Sequence, residues 1–133
     1  AGFPAWRPPQ GDTSNRIDLI LIERDDSLPV EVKSRTEVAA INVKSVQQAL
    51  ENKILIDERD LPTTQRGSST LVVGYEYPPA RSAVDELLGD IKTAYGIRIG
   101  LISLRALYVL ALTRVITGVS VPWEHLSRLE GRL

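Results

Sequence analysis

Three ionisable residues in the first third of the chain have the types and spacing for hydrolytic chemistry. Asp18 is a lone acid in the aliphatic run 16–22, and Glu31 and Lys33 stand two apart in the extended run 28–33. Side chains two apart on a strand point to the same face, and a hairpin turning at residues 25–27 would bring Asp18 beside them. Two carboxylates suit Mg²⁺, and a lysine can stabilise developing negative charge, as phosphodiester hydrolysis requires.

A structural interpretation of the same residues stays open. Glu31 and Lys33 could form a solvated strand face, with Asp18 paired to an arginine, because Glu-x-Lys is a common pattern. Two observations favour chemistry. The chain has four lysines against twelve arginines, so a lysine here is not background, and the alternate positions Val30 and Val32 are apolar. Spacing alone leaves the two interpretations about equal.

The remaining elements predict an α/β fold with one small mixed sheet. After the hairpin, Asn42 caps a helix over residues 43–56, and a polar loop covers 59–69. A strand over 69–75 precedes a helix that Ser82 and Asp85 open as a capping box and Gly96 ends. A strand over 97–103 and a helix over 104–116 follow, and Pro122 begins a last short helix. Residues 1–15 are predicted to be an irregular lead-in, and 16–133 the functional domain.

The helix over 104–116 has few polar positions, so it is expected to be buried nearly all round or against a partner. Two alternatives stay open for it: an internal packing helix, and the interface of a homodimer. Its arginines make it a poor membrane span, because Arg98, Arg105 and Arg114 are spread through residues 97–116. We therefore expect no membrane association.

Composition limits the kinds of site. The chain of 133 residues has no cysteine and one histidine, His125, which excludes thiolate sites and multi-histidine metal sites within it. A metal here should be a hard cation with oxygen ligands. The net charge of −1 does not favour a protein that coats nucleic acid, but it is compatible with local contact. His125 and the loop residue Glu37 are better explained as surface residues than as a base or a ligand.

The pattern also resembles a known family. Ile17-Asp18, followed after twelve residues by Glu31-Val32-Lys33, is similar to the signature of the PD-(D/E)XK, or restriction-endonuclease-like, nuclease superfamily. The order hairpin, helix, strand agrees, and the stretches 31–37 and 48–53 look most like type II restriction endonucleases. The resemblance covers about residues 16–103. It departs at Ile17, where the family usually has proline, and before residue 16, where a helix and a strand are usual.

The resemblance implies a restriction-endonuclease-like core and Mg²⁺-dependent cleavage of double-stranded DNA. It implies Asp18 and Glu31 as metal ligands together with the backbone carbonyl of Val32, and Lys33 as the catalytic lysine. Cutting both strands would call for a homodimer, and the small set of polar elements suggests a separate recognition domain. The lack of the family's helix and strand before Asp18, together with the absence of methionine, leads us to expect a catalytic fragment of a longer protein.

Five further residues are candidates for DNA contact. Lys44, Gln48 and Lys53 lie on the helix that follows the catalytic strand, and Arg66 and Ser68 lie in a hydroxyl-rich loop suited to phosphate oxygens. For the three helix residues the alternative is the solvated face of an amphipathic helix, and the two interpretations are about equal. For the two loop residues a flexible polar loop is favoured over DNA contact.

Two other functions remain alternatives. One is a structure-specific, repair or transposon-type nuclease of the same superfamily, and the other is a non-catalytic DNA-binding or assembly domain. The start Ala1-Gly2-Phe3-Pro4 lacks the basic and apolar stretches of a secretory signal, so we expect a cytoplasmic protein.

Overall fold

The computed structural model describes residues 3–7, 18–24, 26–58 and 69–133, with only the backbone of 56–58. Its described residues form a mixed sheet of six strands and four helices, in agreement with the predicted α/β class. The strands are β1 (Ala5–Trp6), β2 (Leu19–Glu23), β3 (Asp26–Val32), β4 (Ser69–Gly74), β5 (Arg98–Ser103) and β6 (Gly131–Arg132). The helices are α1 (Val43–Glu58), α2 (Ala83–Tyr95), α3 (Leu104–Thr117) and α4 (Trp123–Ser127).

The strands lie in the sheet in chain order, β1-β2-β3-β4-β5-β6. The first three are antiparallel neighbours. The pairing of β2 with β3, which sets Leu19 opposite Val30, is the predicted hairpin. From β3 onward the neighbours are parallel, because α1 and α2 each carry the chain back to the starting edge. The carboxyl ends of β3, β4 and β5 therefore meet at one edge of the sheet.

Two apolar clusters lie on the two faces of the sheet. Val72 and Leu101 belong to the cluster that packs with α1 and α2. Their neighbours in sequence, Leu71 and Ile102, point the other way and pack with the chain around α3 and α4. Glu31 lies opposite Val72 in the register, which puts its side chain on the α1 face.

Helix ends agree well with the sequence predictions. The side chain of Asn42 accepts a hydrogen bond of 3.0 Å from the backbone N–H of Ser45, as a cap should. Asp85 accepts from the backbone N–H of Ser82 at 3.1 Å, which is one half of the predicted capping box. Gly96 and Gly118 end α2 and α3 in the left-handed region that favours glycine.

Three parts of the structure differ from the predictions. The lead-in predicted to be irregular contains β1, whose Trp6 pairs with Ile20. The two-residue strand β6 was not predicted, and it lies beside β5 because Leu129 packs under the sheet and Arg132 pairs with Asp85 at 2.6 Å. Helix α3 was expected to be buried nearly all round or against a partner; none of its residues, all of which are described, is buried in the single chain, so the first of these alternatives is wrong.

Within the described ranges, no helix is both long enough and apolar enough to cross a bilayer.

Candidate active site

The candidate site lies where β2 begins and β3 ends. Asp18 directly precedes β2, and one of its carboxylate oxygens accepts a hydrogen bond of 2.8 Å from the backbone N–H of Val32. Val32 lies between Glu31 and Lys33 in the chain, so this bond fixes Asp18 beside the pair. The antiparallel pairing of β2 with β3 explains the approach, since it brings the start of one strand to the end of the other.

Glu31 and Lys33 form a short ion pair on the α1 side of the sheet. The Nζ atom of Lys33 lies 2.7 Å from one Glu31 carboxylate oxygen, and the two side chains are 12% and 4% exposed respectively. The predicted proximity of Asp18, Glu31 and Lys33 is therefore present in the structure. The prediction of a shared face is also correct for Glu31 and Lys33, because both are held against α1.

Two amides of α1 hold this pair in place. Gln48 accepts a hydrogen bond of 2.8 Å from Lys33 Nζ, and Asn52 donates one of 2.7 Å to the second carboxylate oxygen of Glu31. Gln48 and Asn52 are four residues apart, so they lie on the same face of the helix. Each group of the ion pair therefore has a second polar partner. Residues of this kind fix the orientation of side chains that do chemistry.

Burial makes Glu31 an unusual carboxylate. The pKa of Glu31 is raised above its ordinary value, chiefly because burial disfavours the charged form. The bonds from Lys33 and Asn52 oppose this rise, and the negative charge of Asp18 adds to it. The carboxylates of Asp18 and Glu31 thus repel each other, and the Lys33 ammonium is paired with Glu31 alone of these two described residues. A divalent cation at this position would relieve that repulsion.

The donor chemistry fits a hard cation. Asp18 and Glu31 offer carboxylate oxygens, and the backbone carbonyl of Val32 belongs to the residue whose N–H already binds Asp18. Within the described ranges, no three acidic or histidine side chains are grouped closely enough to form a metal site by themselves. A cation here would therefore keep water among its ligands, as Mg²⁺ commonly does in proteins.

Two clefts open on either side of the loop that follows β3. One is lined by Asp18, Val32 and Arg7, and the other by Lys33, Lys44 and Gln48. Glu37 lines both clefts, and it accepts hydrogen bonds of 2.8 and 2.9 Å from the backbone N–H and hydroxyl of Ser34. Those bonds lower the pKa of Glu37. The interpretation of Glu37 as a surface residue is compatible with this position, which also borders the candidate site.

The five proposed DNA contacts have different positions. Lys44 is exposed and lies in the same cleft as Lys33 and the half-buried Gln48. Lys53 is only 1% exposed, so the prediction that it contacts DNA is wrong, and its side chain lies in the interior. Helical spacing explains the difference, since Lys53 lies four residues after the buried Ala49 and seven after the buried Val46, on the inner side of α1. Arg66 and Ser68 lie outside the described residues.

Asn52 is the site residue that sequence reasoning missed. It lies four residues after Gln48, in the turn of α1 that faces β3. The signal available was an amide at this spacing from a candidate residue, on the helix that directly follows the strand. His125 is exposed on α4 and makes no described contact with Asp18, Glu31 or Lys33.

Comparisons with known proteins found no match: no protein-family model, curated protein or solved structure matches the chain. The functional interpretation therefore depends on the geometry of the site and on the motif described above.

Proposed function

We propose that this chain is a Mg²⁺-dependent endonuclease domain that hydrolyses phosphodiester bonds of double-stranded DNA, of the type II restriction endonuclease kind. The observation that carries the proposal is the meeting of Asp18, Glu31 and Lys33 at the end of β3. Burying the Glu31 carboxylate, whose pKa is raised, beside a second carboxylate and a lysine carries a desolvation penalty that a purely structural role does not explain. Perturbed groups of this kind concentrate at functional sites.

The order of elements supports a restriction-endonuclease-like core. A short strand precedes Asp18 and β2, β3 is antiparallel to β2, and α1 leads to β4 parallel to β3. The strand that seemed to be missing before Asp18 has a counterpart in β1. The usual helix before that strand has no counterpart among the described residues.

Each residue has a chemical role in the proposal. Asp18, Glu31 and the carbonyl of Val32 would hold Mg²⁺, which when bound neutralises phosphate charge and lowers the pKa of a water molecule. Lys33 stabilises negative charge that develops on the phosphate during attack. Gln48 orients the Lys33 ammonium, and Asn52 orients the Glu31 carboxylate. Lys44, on the wall of the cleft, suits a DNA phosphate.

The test is cleavage of supercoiled plasmid DNA with and without Mg²⁺. We expect Mg²⁺-dependent nicking by the wild type, and a loss of about 100-fold or more in Lys33→Ala and Asp18→Ala. Matched controls are Lys92→Ala and Asp90→Ala, which remove the same charges from α2, away from the site. Circular dichroism should show that all four variants remain folded.

Metal binding has its own measurement, independent of cleavage. Mg²⁺ should raise the thermal midpoint of the wild type and of Asp90→Ala, but not that of Asp18→Ala, because a ligand that binds only the folded state stabilises it. The proposal is abandoned if the wild type cuts no DNA with Mg²⁺, or if Lys33→Ala cuts as fast as Lys92→Ala. Mapping the cut ends then separates a sequence-specific enzyme from a structure-specific one.

A further inference from the structure

Helix α3 presents a continuous apolar face to solvent. At about 100° per residue, its six exposed large apolar side chains fall within an arc of roughly 140°. They are Leu104, Tyr108, Val109, Leu112, Val115 and Ile116. The three most exposed are Tyr108 at 62%, Val115 at 80% and Ile116 at 76%. The helix attaches to the sheet by its opposite side, through Ala106 and Leu107.

The area of this face is of the size that a stable protein interface needs. Together the six side chains expose several hundred Å², which approaches the roughly 800 Å² that each partner contributes to a standard-size interface. Monomeric soluble proteins rarely expose a contiguous apolar patch of that extent. The helix itself is firmly formed, because Ser103 caps its first turn at 3.1 Å and Gly118 ends it.

We propose that a second copy of this chain covers the face, with the two α3 helices packed antiparallel about a two-fold axis near Leu112. Leu112 lies close to the middle of the arc and of the helix. A two-fold axis there sets Tyr108 against the partner's Ile116, and Val109 against the partner's Val115. The face is thus complementary to itself, as an isologous interface requires.

Charge selects the antiparallel arrangement. Arg105 is exposed within the arc, in the first turn of α3, where a cation is unfavourable for the positive end of its own helix dipole. A parallel pair would set Arg105 beside the same residue of the partner subunit. The antiparallel pair separates those two arginines by about 21 Å along the axis and brings each to the negative end of the partner's helix. Helix α3 has no acidic residue that could neutralise Arg105 within the helix.

A cleft at the first turn of α3 supports the same occupant. Its lining continues the apolar face toward the carboxyl ends of β4 and β5 through Tyr75, Tyr77, Leu104 and Tyr108, and also includes the polar Glu76, Ser103 and Arg105. In the antiparallel pair, the end of the partner's α3 lies over this cleft. Exposed apolar residues are present at that end, namely Ile116 and Val119, which is 63% exposed. The proposal does not depend on nuclease activity.

The oligomeric state tests the proposal directly. Sedimentation velocity from about 1 to 100 µM should show a concentration-dependent dimer of the wild type, since interfaces of this size reach micromolar affinity or better. The double variant Val115→Asp/Ile116→Asp should be a monomer throughout. Tyr95→Asp is the control, because it puts an acid on an apolar position of α2 that is 60% exposed, and it should dimerise as the wild type does.

Cross-linking tests the arrangement of the helices. The chain has no cysteine, so Leu112→Cys introduces the only thiol. Two thiols at a two-fold axis are close enough for a disulfide, whereas those of Arg105→Cys are too far apart. We expect rapid oxidation to a covalent dimer for Leu112→Cys and not for Arg105→Cys. A wild type that remains monomeric at the highest concentration, a double variant that still dimerises, or the reverse cross-linking pattern would overturn the proposal.

Discussion

Helices α1 and α3 lie on opposite faces of the same sheet and differ in which kinds of side chain they bury and expose. Helix α1 buries polar side chains, with Ser45, Asn52 and Lys53 among the least exposed residues of the chain. Helix α3 buries none of its residues and leaves large apolar side chains in water. Each arrangement is unfavourable for an isolated domain, because buried polar groups need partners and exposed apolar area is not removed from water.

The difference indicates that α1 and α3 have different roles. Among the buried polar residues of α1, Asn52 orients Glu31 by donating a hydrogen bond to its second carboxylate oxygen. The exposed apolar side chains of α3 are not covered by any other element in the described part of the chain. We therefore relate α1 to the proposed site within the subunit and α3 to the proposed second copy of the chain. Mutations on the two helices should therefore affect different measurements.

The largest effect on stability is expected at Asn52. Asn52→Ala removes the hydrogen bond of 2.7 Å to a buried carboxylate, and hydrogen bonds to charged groups contribute about 1.5–3 kcal/mol. We expect the free energy of unfolding in urea to fall by about 2–3 kcal/mol. Gln47→Ala is the matched control, an exposed amide on the same helix, and should change it by less than about 0.5 kcal/mol. Equal urea midpoints for the two variants would mean that Asn52 does not hold Glu31.

The pH dependence of stability is a smaller test of the same helix. Because the pKa of Glu31 is raised in the folded state, the folded chain holds this proton more tightly than the unfolded chain. The contribution of Glu31 to stability is therefore complete below the unfolded pKa, near 4.5, and is lost as the pH rises through the folded pKa. Glu31→Gln removes this dependence.

The measurement is urea unfolding of the wild type and Glu31→Gln at a series of pH values, with EDTA present to exclude metal. We expect the wild type to lose stability relative to Glu31→Gln as the pH rises above about 4.5. Glu51→Gln, an exposed carboxylate of α1, serves as the control and should follow the wild type. A constant difference between wild type and Glu31→Gln across the series would contradict the effect of burial.

Most of the fold could be predicted because local signals mark its elements. Asn42, Gly96 and Gly118 mark helix ends by backbone chemistry that depends on few neighbours. The meeting of Asp18 with Glu31 and Lys33 follows from the two-residue period of strands and one hairpin. These features need only short-range geometry, which a sequence carries directly.

The features that were missed depend on contacts distant in sequence. Lys53 was expected on the outer face of α1, but the way α1 packs against β3 and β4 decides which of its faces is inner. Strand β6 depends on Arg132 reaching Asp85 across 47 residues. The exposure of α3 could not be read from its composition, because a helix that is apolar all round is predicted to be buried whether the covering surface belongs to the same subunit or to another.

The smallest effect on the isolated subunit is expected at Val115. Val115→Ser changes a side chain that is 80% exposed, so at low concentration the free energy of unfolding should change by less than about 0.5 kcal/mol. The same substitution at the buried Val46 of α1 should cost about 2 kcal/mol or more. At high concentration Val115→Ser should cost more stability than at low concentration, because dimerisation stabilises the wild type by mass action and the substitution weakens that gain. Thermal midpoints measured over a range of concentrations separate the cases: a loss at Val115 that is already large at the lowest concentration means that the residue packs within its own subunit, and a loss that grows with concentration means that it packs against a second one.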